Sequence, residues 1–151
     1  INIEKIINNN ISFKEILKNI EISKTLHLEN FKKIQNKLNN SFSEIENSKN
    51  ILNDKELNKM INNYNNELHT LNLSIEKYNL HFQKEIALIK NQILSEIIVL
   101  VEKYAINKNI DLILDSTSYI IASNAIDITK EIENELKEKK LKLEFTDFEK
   151  N

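Results

Sequence analysis

Three histidines and a pair of aspartates are the residues of this chain whose types could do acid–base or metal chemistry. His27, His69 and His81 offer imidazoles, but His69 and His81 lie twelve residues apart and no pair stands at i, i+4. Two ligands on one helix turn are therefore not available, and all three read as surface histidines. Asp111 and Asp115 flank Ile113 in a β-rich run, an alternation that fits a solvated sheet face and a turn residue better than a catalytic carboxylate pair. No enzyme activity, cofactor or metal is expected. The aromatic residues Phe42, Tyr64, Tyr78 and Phe82 fall at helical spacing and read as seam packing rather than as a binding stripe.

Composition narrows the function further. The 151-residue chain has no Gly, Cys, Pro, Trp or Arg. Phosphate-cradling loops need the close backbone approach that glycine allows, so nucleotide chemistry of the Walker or dinucleotide type is excluded. Without cysteine there is no disulfide, no thiolate nucleophile and no sulfur-based zinc site, and the compartment stays open. The formal net charge is −2, which lacks the basic field that nonspecific nucleic-acid binding requires. The most apolar run, Ile97 to Val101, sits between Glu96 and Glu102, far short of the roughly 20 residues that cross a bilayer. The chain starts at Ile1 without an initiator Met and shows no signal peptide, so it reads as a processed or trimmed form.

The elements follow from periodicity. Ile3, Ile6 and Ile7 share a helical face and suggest a strand end turning into a helix. From Phe13 to about Leu52 apolar residues recur at sevenfold spacing through Phe31, Leu38, Ile45 and Leu52, with Lys24, Gln35 and Lys49 at other seam positions. A partly polar seam predicts a compliant coiled coil. Leu57, Ile61, Tyr64, Leu68, Leu71, Ile75, Tyr78 and Phe82 continue the pattern in a second helix running to about Tyr104. Asn53 and Glu56 form an approximate capping box at the reversal. An antiparallel hairpin arm over 13–104 is expected, roughly 60 Å long with its tip near Asn53. After Phe82 the period becomes eleven through Ile86, Ile89, Ile93, Ile97, Leu100 and Tyr104, which straightens the supercoil. Ala87, Leu88, Leu94, Ile98, Val99 and Val101 make this stretch apolar on further sides, more than one partner helix covers.

Ile110 to Asp115 and Tyr119 to Ala122 have strand-like composition and are joined by Ser116-Thr-Ser118, which predicts a β-hairpin. Asp127 or Thr129 is placed to cap a last helix with Ile128, Ile132 and Leu136 on its apolar face. The expected fold is therefore mainly α with a small β body, formed by 1–12 and 105–136, below the helical arm. So small a body is not stable alone. Oligomerisation is expected through Ile97, Ile98, Leu100, Val101, Ile110, Leu112, Leu114, Tyr119 and Ile121. A charged tail, 137–151, follows. Lys137-Glu-Lys-Lys140 reads as a solvated helix end, and the alternation of Leu141, Leu143 and Phe145 leaves open whether the tail adds a strand or is disordered.

The segment Tyr104 to Ile132 carries a more specific signal. It reads Ile110-Asp-Leu112, Leu114-Asp115, a short turn, Tyr119 and Ala122, then Asp127-Ile-Thr129 and a helix. In this order, after a long helical hairpin, it resembles the OmpH/Skp family of periplasmic chaperones, as does Asn2-Ile-Glu-Lys-Ile-Ile7 at the other end. The resemblance implies a homotrimer in the periplasm whose strands assemble into a shared body. Three helical arms would then enclose unfolded outer-membrane proteins and keep them from aggregating without ATP. It also implies that most of the body's first strand would lie before Ile1. Family members are often strongly basic, whereas residues 14–104 carry 13 Lys against 12 Asp and Glu, so apolar rather than electrostatic capture is expected, with the client-contacting residues left unassigned. A prefoldin-like holdase is disfavoured because there the helix termini, not the turn, form the arm tips. The alternative from another class is a structural coiled-coil scaffold that binds a folded partner.

Overall fold

The structure, a computed structural model, describes residues 1–148. It contains α1 (Ile3–Asn9), α2 (Ile11–Ser48), α3 (Asp54–Lys108) and α4 (Thr129–Glu138), with two 3-10 turns at Ser116–Ser118 and Asn124–Ile126. The chain forms two compact units. One comprises 1–20 and 84–147; the other comprises 21–83 together with Phe148.

The second unit is the helical hairpin that the heptads predict. Phe42, exposed rather than packed in the seam, lies 5.8 Å from Tyr64 between the centroids of tilted rings, and Phe31 meets Tyr78 edge-on at 5.4 Å. Tyr78 Oη donates to the Lys24 carbonyl at 3.2 Å. Partners lie later in α3 as they lie earlier in α2, which is antiparallel pairing. Phe31, Leu38, Ile45, Leu71, Tyr78 and Phe82 are buried. The seam is partly polar, as expected, with Lys24 half-buried, but otherwise through different residues. Ser23 is buried and His27 and Ser41 are half-buried, whereas Gln35 and Lys49 are exposed. Glycine is not needed at the reversal. Asn53 Oδ1 accepts from the Glu56 amide at 3.0 Å, and Asn53 Nδ2 donates to Glu56 Oε2 at 2.8 Å. The reciprocal bond is thus side chain to side chain, instead of reaching back to the cap's backbone N–H.

In the first unit α1 and α2 are separated by one residue. Asn10 ends α1 through its amide, bonded to the Ile7 carbonyl, and starts α2 by accepting from the Phe13 amide at 2.9 Å. One buried asparagine therefore serves both helix ends. The core gathers Ile6, Phe13, Ile20, Ile93, Ile97 and Ile132, with Leu100 and Leu136 also buried. At the end of α3, Asn109 adopts φ 52°, the left-handed region, and the Ile110 amide reaches the Ala105 carbonyl at 2.9 Å. That is a Schellman ending in which Asn takes the position usually given to glycine, a residue this chain lacks.

The expected small β body is absent: among the described residues there is no strand and no sheet. Residues 110–115 and 119–122 do not form a hairpin because Asp115 diverts the chain. Its carboxylate accepts from the Thr117 amide at 3.0 Å and closes a 3-10 turn in place of a strand reversal. Ser123 does the same at the next turn, accepting from the Ala125 amide. Tyr119 to Ala122 is then left without a facing chain, with Ile120 97% exposed. β-propensity without a packed face does not hold a ladder, as the marginal stability of two-stranded hairpins requires. What remains is a parallel pairing one residue long, in which Ile1 N donates to the Leu114 carbonyl at 3.2 Å and the Ser116 amide donates to the Ile1 carbonyl at 2.7 Å.

Candidate interaction surface

The 110–128 loop is irregular but fixed to α1 and α4 at both ends. Asp115 Oδ2 accepts from the Ile3 amide at 3.1 Å, besides the Thr117 backbone and hydroxyl. The Thr117 amide, more than any other partner, holds its carboxyl below the ordinary carboxylate range. Asp127 is lowered in the same sense, first by the Thr129 hydroxyl and then by the Thr129 amide. Thr129 Oγ1 in turn accepts from the Asn2 amide at 2.8 Å. The two aspartates with perturbed ionisation therefore act as turn and cap residues. Asp111, the other aspartate of the β-rich run, is exposed.

Held this way, the loop presents apolar side chains outward. Tyr104, Ile110, Leu112, Tyr119, Ile121 and Ile126 border an open cleft of about 610 Å³. Leu112 is 71% exposed and Ile121 88%. A patch of large apolar side chains of this kind makes this face the candidate interaction surface.

The nine residues expected to mediate oligomerisation divide into two groups. Ile97 and Leu100 are buried in the protomer's own core, as Phe13 and Ile132 of the same unit are. Ile98, Leu112, Leu114 and Ile121 are exposed, while Val101, Ile110 and Tyr119 are half-buried. Val99, Ile120 and Ile126 belong with the exposed group although the sequence reading did not include them. Val99 and Ile120 are large apolar residues next to expected positions, whereas Ile126 lies five residues beyond Ile121 and carried no such signal.

The second unit carries further uncovered apolar residues on the outer faces of its helices. Ile22, Leu26 and Leu28 on α2, and Leu73 and Leu80 on α3, are exposed. They are apolar residues off the seam, and that departure from the heptad was the readable signal. Of the histidines, only His69 is a surface residue. His27 and His81 are half-buried, each against Phe82 and Phe148, at 5.4 and 5.6 Å from the Phe148 ring. Periodicity alone did not predict this because Phe148 comes from the far end of the sequence.

Among the described residues, no group of His, Cys, Asp and Glu is arranged to hold a metal ion, and no helix is long and apolar enough to cross a membrane. No curated protein and no solved structure matches the chain. A family model described as outer membrane protein (OmpH-like) matches residues 1–136, from α1 through nearly all of α4. The match spans the paired helices, the loop and most of α4, and this chain belongs to the OmpH-like family.

Proposed function

We propose that this protein is an ATP-independent holdase of the periplasm that binds unfolded outer-membrane proteins and prevents their aggregation, working as a homotrimer. OmpH-like proteins are in general periplasmic chaperones of outer-membrane proteins rather than enzymes. The observation that carries the reading for this chain is how much large apolar surface stays outside both cores: Ile98, Leu112, Leu114, Ile120, Ile121 and Ile126 in one unit, and Ile22, Leu26, Leu28, Leu73 and Leu80 in the other. A holdase needs adhesive surface that can be reversibly covered, and this is such surface. The 110–126 patch serves copies of the chain, and the off-seam helix residues serve clients.

The net charge of +1 over residues 14–104 gives little electrostatic pull. Client affinity should therefore change little between low and physiological salt, and a steep salt dependence would reject apolar capture. The direct test dilutes a denatured β-barrel membrane protein into the purified chain without nucleotide. The holdase keeps it soluble at near-stoichiometric trimer. Rapid aggregation at every dose would instead identify a scaffold that binds folded partners.

A further inference from the structure

The family match stops at residue 136, yet the chain continues along α3 through contacts at Glu96 and Glu85. After Lys139, whose backbone is extended, residues 140–147 form neither helix nor strand, and the alternation of their apolar side chains shows in their burial. Leu141, Leu143 and Phe145 are half-buried while Lys142 and Glu144 between them are exposed. On one side Leu141, Leu143 and Phe145 share a cleft with Glu15, Ile16 and Asn19 of α2. On the other, Leu141 and Leu143 border Gln92, Ser95 and Glu96 of α3. Two polar contacts set direction and register. Lys139 Nζ donates to Glu96 Oε2 at 2.7 Å, and the Thr146 amide donates to Glu85 Oε2 at 2.8 Å. The segment therefore runs antiparallel to α3, turns alternate apolar side chains toward the helices, and makes no ladder.

This is the mode in which a strand outside its sheet can be held by helices. A transmembrane β-strand has the same character: about ten residues with apolar side chains at every second position and polar ones between. We propose that the surface formed by the first turns of α2 and residues 85–96 of α3 is a groove for extended amphipathic segments of unfolded β-barrel proteins. Residues 139–147 occupy it as an internal stand-in that a client strand displaces. The proposal rests on the holdase reading for the identity of the client, but not for the existence of the groove. An occupied groove lowers apparent affinity by the fraction of molecules in which it is free. The tail thus sets a threshold that keeps weak or short segments out.

The test uses the full chain and a fluorescent decapeptide of the sequence of residues 139–148. In the double variant Leu143→Asp, Phe145→Asp the tail no longer fits, and the peptide is expected to bind roughly tenfold or more tightly than to the unaltered chain. A peptide of the same composition with its apolar residues grouped together should bind neither. A urea-diluted β-barrel protein should displace the bound peptide. Equal binding of the peptide to both chains, or to neither, overturns the groove. A bound peptide that no unfolded barrel displaces overturns its role toward clients. Loss of far-UV helicity in the double variant would make the tail part of the core and also overturn the proposal. Phe145→Trp gives a gentler readout, because the chain has no other tryptophan. Its emission should shift to the red on adding unfolded barrel, and an unmoved spectrum counts against displacement. Because peptide binding is measured without any client, failure of the aggregation assay would reject the holdase reading and leave the groove standing.

Discussion

Leu112→Asp separates the role of the exposed loop from the stability of the protomer. Leu112 is 71% exposed within its own chain. Full burial of a leucine side chain stabilises by about 2 kcal/mol, so covering the remaining share in an assembly contributes about 1.4 kcal/mol per copy and roughly 4 kcal/mol over three copies. At 1.4 kcal/mol per decade that is about a thousandfold in association. Placing a carboxylate there adds several kcal/mol of desolvation when the interface closes. The substituted chain is therefore expected to sediment as a monomer while keeping its far-UV circular dichroism, since little of Leu112 is packed inside the protomer. Ile98→Asp, at a 46% exposed position of α3, should behave in the same way. An unchanged sedimentation coefficient for both variants would refute the assignment of this surface to assembly. Loss of helicity would show that the loop's side chains hold up the protomer instead.

Leu38 is fully buried in the seam, and Leu38→Ala should cost about 2 to 3 kcal/mol in urea unfolding, the lower part of the usual range because a two-helix layer relaxes around a truncation more easily than a thick core. Gln35→Ala, at an exposed position, should stay within about 0.5 kcal/mol of the parent by the same measurement. At the left-handed Asn109, replacement by Ala should lower stability by about 1 kcal/mol while Gly should be neutral or slightly stabilising, as read by thermal melting. The carboxyls of Asp115 and Asp127 are lowered in the folded chain, so their contribution is present above the ordinary carboxylate pKa and is lost as pH falls through the lower folded values. The loop should loosen below about pH 4, visible in the Thr117 and Thr129 amide resonances, and Asp115→Asn should flatten the response at Thr117.

The hairpin was legible because its information is local and repeated. Phe31, Leu38 and Ile45 on one helix, and Leu71, Tyr78 and Phe82 on the other, are buried where sevenfold and three-four spacing put them. Asn53 and Glu56 mark the reversal within four residues. The polar seam positions were harder to read. Gln35 and Lys49 fit the count but are exposed, whereas Ser23 takes the interior, with Lys24 and His27 half-buried beside it. Small side chains are buried without a hydrophobic signature, so a pattern search passes over them. The buried faces of Ile89, Ile93, Ile97 and Leu100 followed the eleven-residue spacing, and Ile132 and Leu136 followed the amphipathic face of α4.

The loop between α3 and α4 was misread for the opposite reason, since its composition is that of strands but its conformation is decided by hydrogen bonds to residues distant in sequence. Asp115 bonds to Thr117, a neighbour, and to Ile3, more than a hundred positions away. Asp127 and Thr129 form a second staple with Asn2. Propensity for a strand counts only when a facing strand exists, and within one copy the nearest candidate is the single bridging residue Ile1. The same shortage explains why this loop is the candidate surface. Ile110 to Ile126 is a segment whose side chains are suited to burial and whose own chain supplies too few neighbours to bury them, with Leu112, Ile120, Ile121 and Ile126 left outermost. Exposure of such residues raises the free energy of the isolated protomer by an amount that covering them in an assembly would recover. An OmpH-like chain whose irregular loop is anchored by two aspartates thus keeps the surface in one shape while leaving its apolar side chains uncovered, which is what an assembly or client surface requires.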